Sequence, residues 1–228
     1  MLNVEKIYIA HYTKLIERKQ RLDGYLRENN IKAEYIYQFD KDFLTEEIIE
    51  EYYLKDENNY NQTIVKAYKD KAVAYRELNL AEISLTIKHC YMMEKISKEC
   101  NDYALILEDD VIFKDNFVEL FNQYLEKTPK DWDVIFLGNC CNLRICREKI
   151  VEGQIAYLKE HPASKCTDSF LIKKELAKKL SKTMKPFRTI CDWEYSYQFL
   201  LHDAKVYWWD PPLISQGSET GLFKTTLR

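Results

Sequence analysis

Glycine is scarce in this chain: five residues in 228, about 2% where ~7% is usual. Gly24, Gly138, Gly153, Gly217 and Gly221 form neither a Gly-x-Gly-x-x-Gly turn nor a Walker loop. No glycine cradle is therefore available to hold a diphosphate on backbone amides. Long apolar runs are missing as well. None approaches the ~18 residues needed to cross a bilayer, so no membrane span is expected. The opening residues Met1 to Lys6 lack the apolar stretch of a signal peptide, and a cytoplasmic protein is the expectation. Excess charge of either sign is absent too. A net charge of −3 and a pI near 5.9 give no electrostatic case for nucleic acid or an anionic membrane as partner. Repeats, low-complexity segments and linkers are lacking, so residues 1–228 are expected to form one domain.

Paired Cys-x-x-Cys motifs are the last absence. There are seven cysteines, and without an export signal reduced thiols are the expectation. Cys140, Cys141 and Cys146, followed by His161 and Cys166, invite a zinc reading. Lacking a paired knuckle, they are read as buried or half-buried thiols instead.

What is present is an ordinary globular composition, 46% apolar and 31% charged, with one stretch of unusual chemistry. Tyr103-Ala104-Leu105-Ile106-Leu107 reads as a strand covered on both faces. It runs straight into Glu108-Asp109-Asp110 before turning apolar again at Val111. Carboxylates at the mouth of a sheet repel one another and lose hydration unless a cation or proton offsets the cost. Either the chain leaves the core here into a solvated loop, or the acids form a divalent-metal site at the carboxyl end of a central strand, where open α/β sheets place their ligands. The shortage of glycine favours the metal.

The pattern around this stretch is strand–helix alternation. Lys6 to Ala10 reads as a first strand left by the loop His11-Tyr12-Thr13, followed by a helix to Asn29-Asn30 and a second strand from Ala33 to Phe39. A helix starts at Thr45. Residues 56–77 read as a surface excursion. A long helix from Leu78 carries the apolar stripe Ile83, Ile87, Tyr91, Met92 and Ile96, with Glu82 and His89 seven residues apart and so almost on one face. Further strands are expected at Trp132–Leu137, Ile155–Leu158, Ser169–Ile172 and Lys205–Trp209, and helices at Asp115–Leu125, Lys173–Met184 and from Asp192. Residues 139–155 and 215–221 read as loops. Taken alone, His89 is a packed helix histidine and Asp192 a helix cap.

Leu78-Asn79-Leu80-Ala81-Glu82-Ile83 with His89, then Tyr103 to Val111, resemble the core of glycosyltransferase family 25. That family includes bacterial lipooligosaccharide glycosyltransferases and the collagen galactosyltransferases. Glu17-Arg18, Cys166-Thr167-Asp168-Ser169-Phe170-Leu171-Ile172, Asp192-Trp193-Glu194, Val206-Tyr207 and Pro211-Pro212-Leu213 match in the same order. Two positions depart from the family pattern: Lys88 stands where a serine usually precedes the histidine, and Ser84 follows where a glycine is usual.

The resemblance implies a GT-A-like (Rossmann-like) α/β domain with a mostly parallel central sheet flanked by helices. It implies an inverting, metal-dependent hexosyltransferase that moves galactose or a related sugar from a nucleotide-sugar donor, UDP-linked, to a glycan or hydroxylysine-type hydroxyl. Oxygen ligands suit Mn2+ or Mg2+, not zinc. Asp110 is assigned as metal ligand, Glu108 as its partner and Asp109 as a third. His11, Thr13 and Arg18 are assigned to the nucleotide, Glu82 and His89 to substrate positioning, Asp192 to the base and Glu194 to its alternate. The rival readings are a catalytically silent sugar- or protein-binding module on the same fold, and another metal-dependent phosphoryl or nucleotidyl enzyme.

Overall fold

A computed structural model describes residues 1–69 and 74–225. The chain opens with β1 (Lys6–Ala10), α1 (Ile16–Glu28), β2 (Glu34–Ile36) and α2 (Glu46–Tyr52). An irregular helical run follows: α3 (Glu57–Tyr60), a π-helical turn (Asn61–Val65) and α4 (Lys66–Tyr68). Then come α5 (Leu80–Glu99), β3 (Tyr103–Glu108), β4 (Val111–Phe113), α6 (Phe117–Lys127), β5 (Val134–Phe136) and β6 (Ala156–Leu158). The last elements are β7 (Ser169–Lys173), α7 (Lys174–Thr183), α8 (Cys191–Leu201), β8 (Val206–Trp209) and β9 (Ile214–Gln216).

Seven strands form the central sheet in the order β2-β1-β3-β7-β5-β8-β6, and β4 pairs with β9 in a separate ribbon. Five of the seven point one way. β7 is inserted antiparallel between β3 and β5, and β6 is antiparallel to β8 at the edge. Side chains alternate across a strand, and the two faces feed two cores. Tyr8, Ala104, Ile106, Phe136, Phe170, Ile172 and Trp208 pack under α5, α7 and α8 with Ile83, Ile87, Leu180 and Phe199. Their neighbours Ile9, Leu105, Leu107, Ile135, Leu171 and Trp209 pack against Leu22, Leu26, Phe117 and Phe121 of α1 and α6. Each such side chain contributes ~1.5–3 kcal/mol by leaving water. Near-continuous apolar strands are what a sheet covered on both faces requires.

Two expectations fail here. The stretch read as a surface excursion is instead a packed helical run, with Tyr60, Ile64 and Tyr68 buried against Trp193 and Tyr197 of α8. The Tyr68 hydroxyl donates to the Ser196 carbonyl. Those three apolar residues recur every four positions, a helical stripe masked by charged neighbours; residues 70–73 of the stretch lie outside the described ones. The stretch read as a loop at 215–221 begins inside β9, whose pairing with β4 is a long-range contact that no local pattern announces.

α5 carries an ion into the core. Lys88 is buried and its Nζ donates to Asp40, to the His11 carbonyl and, at 3.3 Å, to the Ile36 carbonyl. Asp40 in turn accepts from the Thr13 amide at 3.1 Å and from its hydroxyl. Lys88 therefore ties together the carboxyl ends of β1 and β2. A serine at this position is too short to reach these groups. Removing one partner of a buried pair strands the other charge. Lys88→Met is expected to cost ~3–5 kcal/mol in urea denaturation, and adding Asp40→Asn to recover most of it.

Candidate active site

The topology brings one end of many elements to one edge of the sheet. β1 and β3 are parallel in the register Ala10↔Glu108, so the loops after them meet. β7 runs the other way, which delivers its amino end to the same edge, where the Glu108 amide donates to the Asp168 carbonyl at 2.9 Å. α5 and α8 run against the strands they precede, so their first turns also face this edge. Between these ends lies a cavity of about 450 Å³ lined by His11, Arg18, Glu82, Glu108, Asp109, Asp110, Cys140, Thr167, Asp192 and Ser218, among others. This is the size range of small-ligand sites.

The three consecutive acids do three different things. Asp109 has both oxygens engaged: Oδ2 pairs with His11 Nδ1 at 2.7 Å and Oδ1 accepts from Arg18 Nη1 at 2.8 Å. Glu108 accepts from the Thr167 hydroxyl at 2.6 Å and from Gln216 Nε2 at 3.4 Å. Asp110 Oδ2 accepts from the Ser218 amide at 3.2 Å, with Arg18 Nη1 3.7 Å away, while its buried Oδ1 has no partner. Burial first, then the Asp110 charge, raises Glu108 from 4.5 to about 8. Burial likewise raises Asp110.

A fourth acid joins them. Asp168 is fully buried, its Oδ1 lacks a partner, and burial with the nearby Asp110 charge raises it to about 7. Room for it comes from Gly138, where a Cβ would lie 1.8 Å from Asp168 Oδ2. Sequence reasoning assigned Asp168 no role, because nothing local shows that β7 lies beside β3. The only signal was a carboxylate immediately before a buried strand.

Two buried carboxylate oxygens without a partner, and proton affinities raised by burial and then by neighbouring carboxylates, make this corner favourable for a cation or a proton. Asp110 and Glu108 offer hard oxygen donors of the kind a divalent cation takes, although among the described residues no three carboxylates each bring an oxygen within 4.8 Å of the others. Asp109 fits this role poorly, since His11 and Arg18 occupy both its oxygens. The segment after β9 closes the corner. The Gly217 amide donates to the Asp110 carbonyl at 2.7 Å, Arg18 Nη2 to the Lys224 carbonyl at 2.6 Å, and the Arg18 guanidinium lies 5.2 Å from the Phe223 ring centre. A Cβ on Gly217 would meet Phe223 at 2.6 Å and the Asp110 carbonyl at 2.9 Å, so the approach requires glycine.

The other end of the cavity is set by helix starts. Asn79 caps α5 in a capping box, with Glu82 Oε2 accepting from the Asn79 amide at 3.0 Å. The Glu82 carboxylate also takes both Arg76 Nη1, at 2.8 Å, and Nη2. Asp192 stands in the first turn of α8, its Oδ1 accepting from the Trp193 amide at 2.8 Å. Burial raises its pKa, with the Glu82 charge adding to the effect.

The structure leaves three assigned residues out of the cavity wall. His89 is fully buried, stacks on Phe170, and approaches the Tyr195 hydroxyl at 3.2 Å; burial lowers it to about 3, so it stays neutral. Glu194 is buried against Arg188, which donates its amide at 2.9 Å and Nη1 at 3.1 Å. Thr13 bonds Asp40 rather than facing the cavity. The expectation of reduced thiols holds for five cysteines and fails for two: Cys140 and Cys166 form a disulfide, two distant loops having met at the cavity rim.

A family model described as glycosyltransferase family 25 (LPS biosynthesis protein) matches residues 4–195. No curated protein matches the chain. Among solved structures, the apo form of mouse xyloside xylosyltransferase 1 superposes with a TM-score of 0.36 at 10% identity, covering 90% of this chain and 73% of that one. No described helix is long and apolar enough to cross a membrane.

The raised carboxylates fix a pH dependence. The folded state holds protons that the unfolded chain has released, so stability falls as pH rises from 4.5 to about 8. A divalent cation held by the same oxygens would compete with those protons and reverse the loss. In thermal-shift measurements, Mn2+ at about a hundredfold excess over Kd is expected to raise Tm by about 5–10 °C. The shift should be larger at the top of that window than at its bottom. A Tm indifferent to both pH and Mn2+ contradicts this account.

Proposed function

The chain belongs to glycosyltransferase family 25, and from that premise we propose that it transfers galactose or a related hexose from a UDP-linked donor to a glycan or hydroxylysine-type hydroxyl, with inversion. The observation that carries the reading is the Asp110 carboxylate, which lines the cavity at the sheet's carboxyl edge with one buried oxygen unsatisfied. Asp110 and Glu108 would hold a manganese or magnesium ion, whose charge would stabilise the leaving diphosphate.

The chain's own groups supply the rest. His11 and Arg18 hold Asp109, so the loop after β1 and the acidic stretch form one rigid wall on the donor side. Ser218 and Gln216, beyond the matched residues, orient Asp110 and Glu108, and this supports taking residues 1–228 as one catalytic unit. In a single displacement the acceptor oxygen bonds the anomeric carbon as the bond to the diphosphate oxygen breaks, and the hydroxyl proton must go to a base. Asp192 is that base: it lines the cavity, the Trp193 amide orients its carboxyl, and burial raises its proton affinity. Glu82 and Arg76, paired at the same end, position the acceptor.

Lys88, the departure that motivates a catalytically silent module, is occupied in tying β1 to β2. It gives that rival no support.

Asp110→Asn is expected to abolish both the Mn2+ response and sugar transfer, read by mass spectrometry of the nucleotide released from a donor panel. Asp192→Asn should leave nucleotide binding nearly intact while transfer falls ~10²–10⁴-fold. Nucleotide binding without turnover of any donor by the unmodified chain would favour the silent module.

A further inference from the structure

Three sulfurs from two separate loops converge on the cavity rim. Cys140, Cys141 and Cys166 have their Sγ atoms all within 4.8 Å of one another. Cys140 and Cys166 are joined as a disulfide, and Cys141 Sγ lies 3.7 Å from each of them. Of the sequence cluster, Cys146 lies outside the group, as does His161. A third segment adds an oxygen beside the group, not within 4.8 Å of all three sulfurs: Glu219 Oε1 is 3.4 Å from Cys140 Sγ and accepts from the Cys141 amide.

These spacings have a chemical meaning. Zinc–thiolate bonds of ~2.3 Å in a tetrahedron put neighbouring sulfurs about 3.8 Å apart, and a sulfur and a carboxylate oxygen about 3.5 Å apart. The backbone is also held in an unusual state to present the sulfurs. Cys141 and Cys166 have φ of 54° and 57°, a left-handed region uncommon for residues with a side chain.

We propose that, once reduced, Cys140, Cys141, Cys166 and Glu219 bind one thiophilic divalent ion, zinc, at the rim of the cavity. A dithiol or phosphine reductant supplies two electrons that split the disulfide into two thiols. The three thiols then lose their protons to solvent as the thiolates bind the ion. Disulfide and zinc site are thus alternative states of the same sulfurs. The chemistry is soft, unlike the oxygen set at Asp110, so the two sites select different ions.

The ion clamps three pieces of cavity wall: the loop after β5, the segment carrying Thr167 and Asp168, and the segment carrying Ser218. Through Thr167 and Ser218, which bond Glu108 and Asp110, it acts as a positioning element for the acidic corner.

The test needs no transferase activity, so its failure leaves the transferase reading standing. Full-length protein is purified under phosphine reductant and titrated with Co2+, then with Zn2+. One equivalent of Co2+ is expected to give a thiolate-to-cobalt charge-transfer band that Zn2+ bleaches and Mn2+ does not. Cys141→Ser should lose the band and retain no zinc through gel filtration, yet still form the Cys140–Cys166 disulfide on oxidation, which reports an intact fold. Cys146→Ser should behave as the unmodified chain, and Glu219→Gln should hold zinc at least tenfold more weakly. Reduced protein that gives no thiolate band, or Cys141→Ser that retains zinc as well as the parent, overturns the proposal. Unchanged affinity in Glu219→Gln overturns the fourth ligand.

Discussion

Repulsion among buried carboxylates is the constraint to which the rest of this fold answers. Asp110 and Asp168 are buried and Glu108 half-buried at one corner of the sheet, and one oxygen each of Asp110 and Asp168 has no partner. Desolvated like charges are costly to hold together, and most of the surrounding structure moderates that cost. Arg18 and His11 bond both oxygens of Asp109. Thr167, Gln216, the Ser218 amide and the Ser169 hydroxyl give hydrogen bonds to the remaining oxygens. What they leave is two buried oxygens without a partner, on Asp110 and Asp168.

The same constraint explains otherwise odd features of the chain. Two of the five glycines stand where a side chain would collide with the acidic corner: Gly138 beside Asp168, and Gly217 beside Asp110 and Phe223. The antiparallel insertion of β7 puts Asp168 next to Glu108 by a backbone bond, where a parallel strand would have carried that residue to the opposite edge. The last segment of the chain, beyond the family match, returns to pair with β4 and to cover Arg18. Lys88 makes a buried ion pair that braces the loop carrying His11.

Much of the architecture was legible in residues 1–228. Strands buried on both faces announce themselves as short apolar runs, and the helices between them follow a 3.6-residue stripe, so the alternating α/β order could be read directly. The acidic stretch could be recognised because three consecutive carboxylates after an apolar strand are chemically conspicuous. Less visible were contacts whose partners are remote in sequence. Tyr60, Ile64 and Tyr68 looked like scattered residues in a charged stretch until α8 supplied Trp193 and Tyr197. His89 and Glu194 carry chemistry-bearing side chains, but the core had already claimed them: His89 against Phe170 and Tyr195, Glu194 against Arg188.

The amino-acid sequence by itself determined the periodicities, and with them the layered fold, the family, and the carboxyl end of β3 as a place of unusual charge. These are local properties, because a strand or a helix face is set by residues within a few positions of one another. Tertiary structure alone decided the division of labour among Glu108, Asp109 and Asp110, since identical acids differ only in which distant groups reach them. It also brought in Asp168 and withdrew His89, and it gathered Cys140, Cys141 and Cys166 at the rim. Burial and charge proximity depend on which strands lie side by side, and strand order is not written in any single stretch of the chain.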